Sequence, residues 1–249
     1  MSYRKNKRRC LLLAAALVLA LLPPEQKQSG AAAAAAAGVA AEERPPVVAL
    51  TFDDGPRRDT TAALLDGLAR RGAHATFFTV GQQIGGNEDL ICRMEAEGHQ
   101  VGLHTFGHVA LTGLSDAEFE AQVGRERRLL EEILGHGDFA LRPPYGFTDA
   151  DVRDRAEGPV ILWSVDPEDW KDRDVERIVR HVTERAADGD IILMHDIYPS
   201  SVEAALEVVD RLQERGFLFA TVCELFDAEN MVLDNKTQYY SAKDEQTVN

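Results

Sequence analysis

Cysteine is scarce in this chain, with three residues among 249. Cys10 lies near the N-terminus, and neither Cys92 nor Cys223 has the close Cys spacing that a structural zinc site requires. Nothing in the sequence places Cys92 and Cys223 within bridging distance of each other. We therefore expect two buried, inert thiols, and we exclude a fold organised by cysteine-bound metal.

Basic residues are also few: Lys and Arg number 27 against 42 Asp and Glu, which gives a net charge of −15 at pH 7. Six basic residues and one acidic residue fall within the first 37, so the remainder has 21 basic and 41 acidic residues. A body this acidic repels nucleic acid and anionic lipid. We predict no nucleic-acid partner, whereas a neutral substrate or a cationic product suits the charge.

A run of about 20 apolar residues, the length that spans a membrane as a helix, is absent. The apolar run at 10–22 has 13 residues, follows a basic patch at 4–9 and precedes two prolines. This pattern is typical of a secretory signal, with an uncleaved signal anchor as the alternative. Residues 1–44 are therefore interpreted as a signal or anchor with an Ala/Pro linker. We expect export to the extracellular space, the cell wall or the outer face of the membrane, with membrane contact only through an uncleaved signal.

Beyond the linker, apolar runs alternate with amphipathic segments, which predicts one α/β domain at 45–228 with a parallel sheet, open or closed into a barrel. The candidate strands are 47–52, 74–80, 99–103, 138–142, 159–165, 190–195 and 217–222. The spacing Ser-x-x-Glu at Ser115 and at Ser200 predicts capping boxes that open two helices. Residues 229–249 are mostly polar and aperiodic, and we predict a disordered tail.

Polar side chains follow five of the predicted strands at the point where each strand ends. They are Asp53, Asp54, His104, Arg142, Asp166 and His195. In barrels and open α/β sheets, the C-terminal edge of the strands is the face that carries active sites. Packing alone does not account for five strands that end in this way, so we expect a functional site at this edge.

Two of these motifs have the composition of a metal site. Successive strand residues point to opposite faces, so one of Asp53 and Asp54 can bind a metal while the other stays free as a base. His104 and His108 are four residues apart, a spacing that brings two imidazoles onto one face of a helical turn. Two imidazoles and one carboxylate form a three-ligand site with open positions for water. Taken alone, the two aspartates before Gly55 and Pro56 favour an ordinary capped turn, and the histidine pair alone is a modest signal because such pairs arise by chance.

Two further motifs suit proton transfer and charge stabilisation. Arg142 precedes two prolines that stiffen the backbone, which pre-positions the arginine and the amide of Tyr145. His195 ends a strand that should be buried, and a histidine there can donate or accept a proton near neutral pH. Considered singly, these residues are a loop arginine and a satisfied core histidine. Their convergence on one edge favours the functional interpretation.

Five motifs, taken in order, resemble the polysaccharide deacetylases of carbohydrate esterase family four. The motifs are Thr-Phe-Asp-Asp-Gly at 51–55, His-Thr-x-x-His at 104–108, Arg-x-Pro-Tyr at 142–145, Asp-x-x-Asp-Trp at 166–170 and Leu-x-His at 193–195. The resemblance spans roughly 47–226. Any one motif is a weak signal, but five in order with compatible spacing are specific.

The resemblance implies a distorted (β/α) barrel of about seven strands in one catalytic domain, with metal-dependent removal of N-acetyl groups from a polysaccharide. The implied roles are metal binding by Asp54, His104 and His108, general base by Asp53 with Arg142 orienting it, general acid by His195 held by Asp166, an oxyanion-hole amide from Tyr145, and an acetyl pocket walled by Trp170 and Leu193. The implied cofactor is a divalent metal, with zinc first and cobalt or another divalent ion as alternatives.

The glycan stays open among peptidoglycan N-acetylglucosamine, N-acetylmuramic acid and chitin oligomers, and we expect a monomer. One alternative is a metal-dependent acetyl esterase or small-amide hydrolase on the same barrel. Another is an inactive glycan-binding relative, which the intact set of ligands and base disfavours.

Overall fold

The computed structural model of the protein describes residues 44–243. Of the signal or anchor and linker predicted at 1–44, residues 1–43 lie outside the described residues, as do residues 244–249. Between residues 44 and 243, no helix combines the length and the apolar character needed to cross a membrane.

Strands and helices alternate along the described part of the chain. The strands are β1 (Val47–Asp53), β2 (Thr76–Thr79), β3 (Gln100–Leu103), β4 (Val160–Ile161), β5 (Ile191–His195), β6 (Leu218–Ala220) and β7 (Gln238–Tyr239). The α-helices are α1 (Arg58–Arg71), α2 (Gly81–Ile84), α3 (Glu88–Ala96), α4 (Asp116–Phe119), α5 (Arg125–Leu134), α6 (Ala150–Arg155), α7 (Val175–Arg185), α8 (Pro199–Glu214) and α9 (Val222–Ala228). A π-helical turn at Glu120–Gly124 joins α4 to α5, and a 3₁₀ turn spans Pro144–Gly146.

The parallel strands close into a distorted barrel. β1 pairs with β2 and with β5, and β2 pairs with β3. Parallel bridges join Leu103 to Leu141, Leu141 to Val160, and Val165 to Ile192, which completes the ring back to β5. β6 pairs with the first residues of β1, and β2 pairs with its last ones, so both share one edge of β1. The predicted α/β barrel is confirmed, and the shared edge is one source of its distortion.

Alternation along β1 separates the helix-packed core from the barrel interior. Leu50 and Phe52 belong to the hydrophobic core that the helices cover. Thr51 and Asp53 instead form hydrogen bonds with the buried side chain of Arg142. Because successive strand residues point to opposite sides, the alternation that packs Phe52 outward also directs Asp53 into the barrel.

Four predicted strands are shortened by more than one residue: 74–80 becomes β2, 217–222 becomes β6, and two other segments form little regular strand. The segment 138–142 contributes one bridging residue, Leu141, and the segment 159–165 contributes β4 and a bridge at Val165. Prolines adjoin or begin both segments. Proline has no N–H to donate to a ladder, so pairing stops before Pro143 and starts only after Pro159, at Val160.

The two predicted capping boxes have different outcomes. The box at Ser115 is confirmed, since Ser115 Oγ accepts from the Glu118 N–H and the Glu118 carboxylate accepts from the Ser115 N–H. The box predicted at Ser200 is wrong, because α8 already begins at Pro199. Proline suits the first helical position, where its missing N–H leaves no bond unmade.

The prediction of a disordered tail is wrong for residues 229–243. β7 pairs with β4, and the buried ring of Tyr239 packs against Phe226 with ring centroids 4.9 Å apart. Ser241 also bridges to Asp190. Burial of an aromatic ring offsets the entropy lost when a short segment becomes ordered, and a count of polar residues does not register that gain.

Neither Cys92 nor Cys223 forms a disulfide within the described residues. The expectation of burial is wrong for Cys92, which is exposed, and Cys223 is only half-buried. In α3 the buried face is formed by Leu90, Ile91 and Met94, which leaves Cys92 on the solvent side.

Candidate active site

The two residues predicted to transfer protons come from neighbouring strands. Asp53 ends β1 and His195 ends β5, and the parallel register pairs these residues directly. Asp54 follows Asp53 in the chain, and His104 follows β3. The carboxyl ends of parallel strands meet at one edge of a sheet, so these four residues are brought together as the sequence indicated.

Asp54, His104 and His108 form a compact group of metal-type ligands. Within residues 44–243 they offer one ligand atom each, and these atoms lie within 4.8 Å of one another. Asp54 Oδ1 lies 3.6 Å from His104 Nε2 and 3.3 Å from His108 Nε2. Ligand atoms placed tetrahedrally at about 2.0–2.1 Å from one ion are about 3.4 Å apart. The two measured distances match that spacing.

The hydrogen-bond pattern leaves Asp54 Oδ1 and His104 Nε2 able to bind a cation. Asp54 Oδ1 is buried and has no hydrogen-bond partner in the described part of the chain. His104 Nδ1 lies 2.7 Å from the Arg142 carbonyl oxygen, which can only accept, so Nδ1 carries the proton and Nε2 keeps its lone pair. Burial lowers the pKa of His104 against the opposing charges of Asp53 and Asp54, which favours the neutral imidazole that a metal binds. These residues therefore fit a divalent metal ion.

The backbone around this group is strained. Asp54, Thr105, His108 and Tyr145 have φ angles of 75°, 68°, 54° and 63°. Residues with side chains seldom adopt positive φ, and such strain concentrates at functional sites. His104 and His108 meet through this irregular turn, with ring centroids 5.1 Å apart, and not on the helical turn that their spacing suggested.

Arg142 orients Asp53 inside the barrel. Arg142 is fully buried, and its Nη1 donates to Asp53 Oδ1 at 2.8 Å and to Thr51 Oγ1 at 2.7 Å. Its Nε and Nη2 donate to two main-chain carbonyl oxygens. The second carboxylate oxygen, Asp53 Oδ2, lies 3.6 Å from His104 Nε2. Arg142 thus holds one oxygen of Asp53, and the other faces the metal-type group.

Asp169 holds His195, so the role predicted for Asp166 is wrong. Asp169 Oδ1 lies 2.7 Å from His195 Nδ1, and Asp169 Oδ2 accepts from the His195 main-chain N–H at 2.9 Å. Asp166 instead accepts from the Glu168 N–H within its own turn. The motif Asp-x-x-Asp-Trp contains both aspartates, and the position of Asp166 at a strand end favoured the first. The second was equally visible in the motif, but only the path of the turn distinguishes them.

The surroundings of His195 favour its protonated form. Burial, the strongest single influence, lowers the pKa of His195, but the hydrogen bond and charge of Asp169 and the charges of Asp53 and Asp54 outweigh it and raise that pKa to about 9. An imidazole that is protonated near neutral pH can serve as a proton donor.

The remaining predicted residues border this group. The Tyr145 ring lies edge-on to His108, with ring centroids 4.9 Å apart, and the Tyr145 side chain is largely exposed. Leu193 is buried and precedes His195 by two residues, which places both on the same side of β5. Trp170 is about half exposed. The roles assigned to Tyr145, Leu193 and Trp170 stay predictions.

Comparisons with known proteins agree on one family. The polysaccharide deacetylase family description matches residues 40–158. The peptidoglycan-N-acetylmuramic acid deacetylase of Bacillus subtilis is 42% identical over 177 residues, which cover 71% of this chain and 38% of that protein. The chitooligosaccharide deacetylase of a Bradyrhizobium strain is 36% identical over 186 residues, which cover 68% of this chain and 85% of that protein. The matched region is thus well under half the length of the Bacillus subtilis relative.

A solved structure with the same fold adds an observation on metal binding. It is a family 4 acetyl xylan esterase from Clostridium thermocellum in complex with a cobalt ion. The TM-score is 0.74 and the sequences are 29% identical, across 78% of this chain and 98% of the esterase chain.

Proposed function

Since the chain belongs to the polysaccharide deacetylase family, we propose that it removes N-acetyl groups from N-acetylglucosamine-type sugars of a cell-wall or extracellular polysaccharide by metal-dependent hydrolysis. The observation that carries the proposal is the pairing of Asp53 with His195 across neighbouring strands, beside three metal-type ligands. Amide hydrolysis needs an activated water, a stabilised oxyanion and a proton for the leaving amine. This group of residues offers a candidate for each need.

Asp54, His104 and His108 would hold the metal. When bound, the ion would lower the pKa of a water molecule and polarise the acetyl carbonyl. Two imidazoles and one carboxylate with open positions suit zinc, which we propose as the resident ion. Cobalt is the alternative, because the Clostridium thermocellum esterase was solved with it.

Asp53 is the proposed general base. Its Oδ1 is held by Arg142 at 2.8 Å, so Oδ2 is the oxygen that accepts a proton from the attacking water. The Tyr145 amide is proposed to donate to the carbonyl oxygen as negative charge develops there. The two prolines before Tyr145 stiffen that segment, so the N–H needs little reorganisation during the reaction.

His195 is the proposed general acid. Its Nδ1 bonds to Asp169, so Nε2 is the atom that gives a proton to the leaving nitrogen. With a pKa raised to about 9 by Asp169, Asp53 and Asp54 against the effect of burial, His195 holds that proton at neutral pH. Leu193 and Trp170 are proposed to line the space for the acetyl methyl group.

Asp169→Asn is expected to move the alkaline limb of the pH–rate profile to lower pH. The substitution removes the charge that raises the pKa of His195, while burial continues to lower that pKa. His195 then loses its proton at a lower pH, and the rate that depends on protonated His195 falls at a lower pH than in the parent chain. The measurement is kcat/KM for acetate release across the pH range.

Asp166→Asn is the matched control for this prediction. It removes the same charge from the same motif, but Asp166 bonds to the Glu168 N–H and not to His195. We expect its alkaline limb to stay close to that of the parent. A larger shift for Asp166→Asn than for Asp169→Asn would return the positioning role to Asp166.

A second candidate function is hydrolysis of an acetyl ester. The observation that favours it is the shared fold with the Clostridium thermocellum acetyl xylan esterase. The leaving group of an ester departs as an alkoxide or an alcohol, whereas the nitrogen of an amide must be protonated to depart as an amine. Ester hydrolysis therefore depends less on a general acid than amide hydrolysis does. The positioned pair of His195 and Asp169 therefore favours the amide substrate.

The test compares acetate release from purified peptidoglycan, chitin oligomers and acetylated xylan, using the full chain with zinc and with a chelator. We expect release from an N-acetylated glycan that the chelator abolishes and added zinc restores, and mass mapping then identifies the deacetylated sugar. Release from acetylated xylan alone would favour the esterase. No release from any of the three would overturn the proposal and support a glycan-binding relative.

A further inference from the structure

The loop between the two proposed histidine ligands is held in a strained conformation. Thr105 and His108 have φ angles of 68° and 54°. Positive φ is unfavourable for residues with side chains, above all for a β-branched one, and it persists only where surrounding contacts over-determine it. Residues 104–108 belong to no helix or strand. The loop must therefore be stabilised by contacts from elsewhere in the fold.

Gln122, in the π-helical turn between α4 and α5, supplies two of these contacts. Its main-chain carbonyl accepts from the Phe106 N–H at 3.0 Å. Its side-chain Oε1 accepts from the Gly107 N–H at 2.8 Å. One residue thus satisfies two successive N–H groups between His104 and His108.

Glu126, on the same helical segment as Gln122, contacts the start of the loop at His104. Glu126 is fully buried, and its Oε1 accepts from Thr79 Oγ1 at 3.1 Å and lies 3.4 Å from the His104 nitrogen. The His104 N–H also bonds to the Thr79 carbonyl oxygen at 2.9 Å. Gln122 and Glu126 are four residues apart, so one face of this helical segment contacts both the beginning and the middle of the loop.

The π-helical turn has a direct part in this contact. Within it, the Arg125 N–H bonds to the Glu120 carbonyl, five residues earlier and not four. Such turns are rare and occur frequently at functional sites. The Gln122 carbonyl lies within this turn and accepts from the Phe106 N–H.

The Phe106 ring stabilises the middle of the loop through packing contacts. A Cβ added at Gly81 would lie 2.5 Å from that ring, so the absence of a side chain there lets the ring approach. The guanidinium carbon of Arg125 also lies 3.5 Å from the ring centroid, within the range of a cation–π contact. Ring contacts and hydrogen bonds therefore fix the same turn.

We propose that Gln122 is a positioning residue for the metal ligands His104 and His108, acting through the N–H groups of Phe106 and Gly107. The proposal rests on the metal-dependent function proposed above and adds the residue that sets the spacing of the two imidazoles. Without Oε1, the Gly107 N–H loses its acceptor, and His108, the next residue, loses its fixed position. Removing partners that orient metal ligands typically weakens metal affinity by about 10–100-fold.

Three variants of the full chain separate positioning from general stability. Gln122→Met keeps the length of the side chain but removes the acceptor, whereas Gln122→Glu keeps an acceptor oxygen. Gln213→Met is the matched control, because Gln213 is also a half-buried helical glutamine with a hydrogen bond to the main chain, at 2.9 Å from the Arg71 carbonyl oxygen. It lies on α8 and touches none of the site residues described above.

The measurements are the zinc dissociation constant by competition with a chromophoric chelator, the visible absorption of the cobalt-loaded protein, and the Tm of the metal-free protein. For Gln122→Met we expect a dissociation constant raised about 10-fold or more and altered cobalt bands. Gln122→Glu and Gln213→Met should match the parent in both. The metal-free Tm should be similar for Gln122→Met and Gln213→Met.

The possible failures are distinct. If the parent binds zinc and Gln122→Met has the same affinity and the same cobalt spectrum, the positioning role is overturned and the proposed function stands. A loss of metal-free Tm in Gln122→Met that Gln122→Glu does not restore would show a folding role and would also overturn it. A parent chain that binds no zinc or cobalt would overturn the metal-dependent function itself.

Discussion

Asp53→Asn is expected to lower acetate release by about 10²–10⁴-fold while metal affinity stays close to that of the parent chain. Asparagine preserves the shape of the side chain and an oxygen for Arg142, which holds Asp53 Oδ1 at 2.8 Å. Its amide cannot take a proton from water. The three metal-type ligands are unchanged, so added metal should rescue nothing.

The adjacent Asp54→Asn variant should fail in a different way. Asp54 Oδ1 is the buried oxygen that lies 3.3 Å from His108 Nε2 and has no hydrogen-bond partner among the described residues. Replacing an anionic ligand by a neutral one should weaken metal binding. Because Asp53 and His195 remain, excess metal should restore part of the activity.

The two variants are compared by metal content after dialysis and by acetate release at low and high zinc concentration. Equal metal affinities with equal residual rates would show that the two aspartates do not divide the roles of ligand and base. Loss of metal in Asp53→Asn alone would reverse the two assignments and leave the proposed reaction in place.

His195→Ala is expected to lower the rate on an N-acetylated glycan by about 10²–10⁴-fold, with metal still bound. An amine leaves poorly unless it is protonated, and the variant removes the imidazole whose pKa of about 9, raised by Asp169, Asp53 and Asp54 against the effect of burial, keeps a proton ready. On an activated aryl acetate, whose leaving group needs no proton, the loss should be much smaller. That difference between substrates is specific to acid catalysis.

His181→Ala is the matched control, because His181 is a half-buried histidine on α7 that belongs to none of the motifs at the strand ends. We expect it to match the parent on both substrates. A nearly normal rate of His195→Ala on the glycan would show that another group supplies the proton. Equal losses on glycan and aryl acetate would show that His195 acts in some other way, such as shaping the site.

The amino-acid sequence by itself determined the fold class and most members of the site. Alternating apolar runs and helical segments are local properties of the chain, and they predicted an α/β domain with a parallel sheet; the resemblance of five motifs to a known family then implied the barrel. The rule that polar residues gather at the carboxyl ends of parallel strands predicted the meeting of Asp53, Asp54, His104 and His195. These predictions succeeded because each depends on short-range alternation and on one general property of parallel sheets.

Only the tertiary structure decided how the site residues are held. The order of the tail at residues 229–243 depends on pairing between β4 and β7, which no local pattern reports. The contact of Gln122 with the loop at 104–108 comes from a π-helical turn whose sequence is that of an ordinary helix. The residue that holds His195 is Asp169 and not Asp166, and the hydrogen bond between Asp169 and His195 joins residues 26 positions apart. A hydrogen bond over that separation is set by the path of the intervening backbone, and residue type and spacing alone do not specify that path.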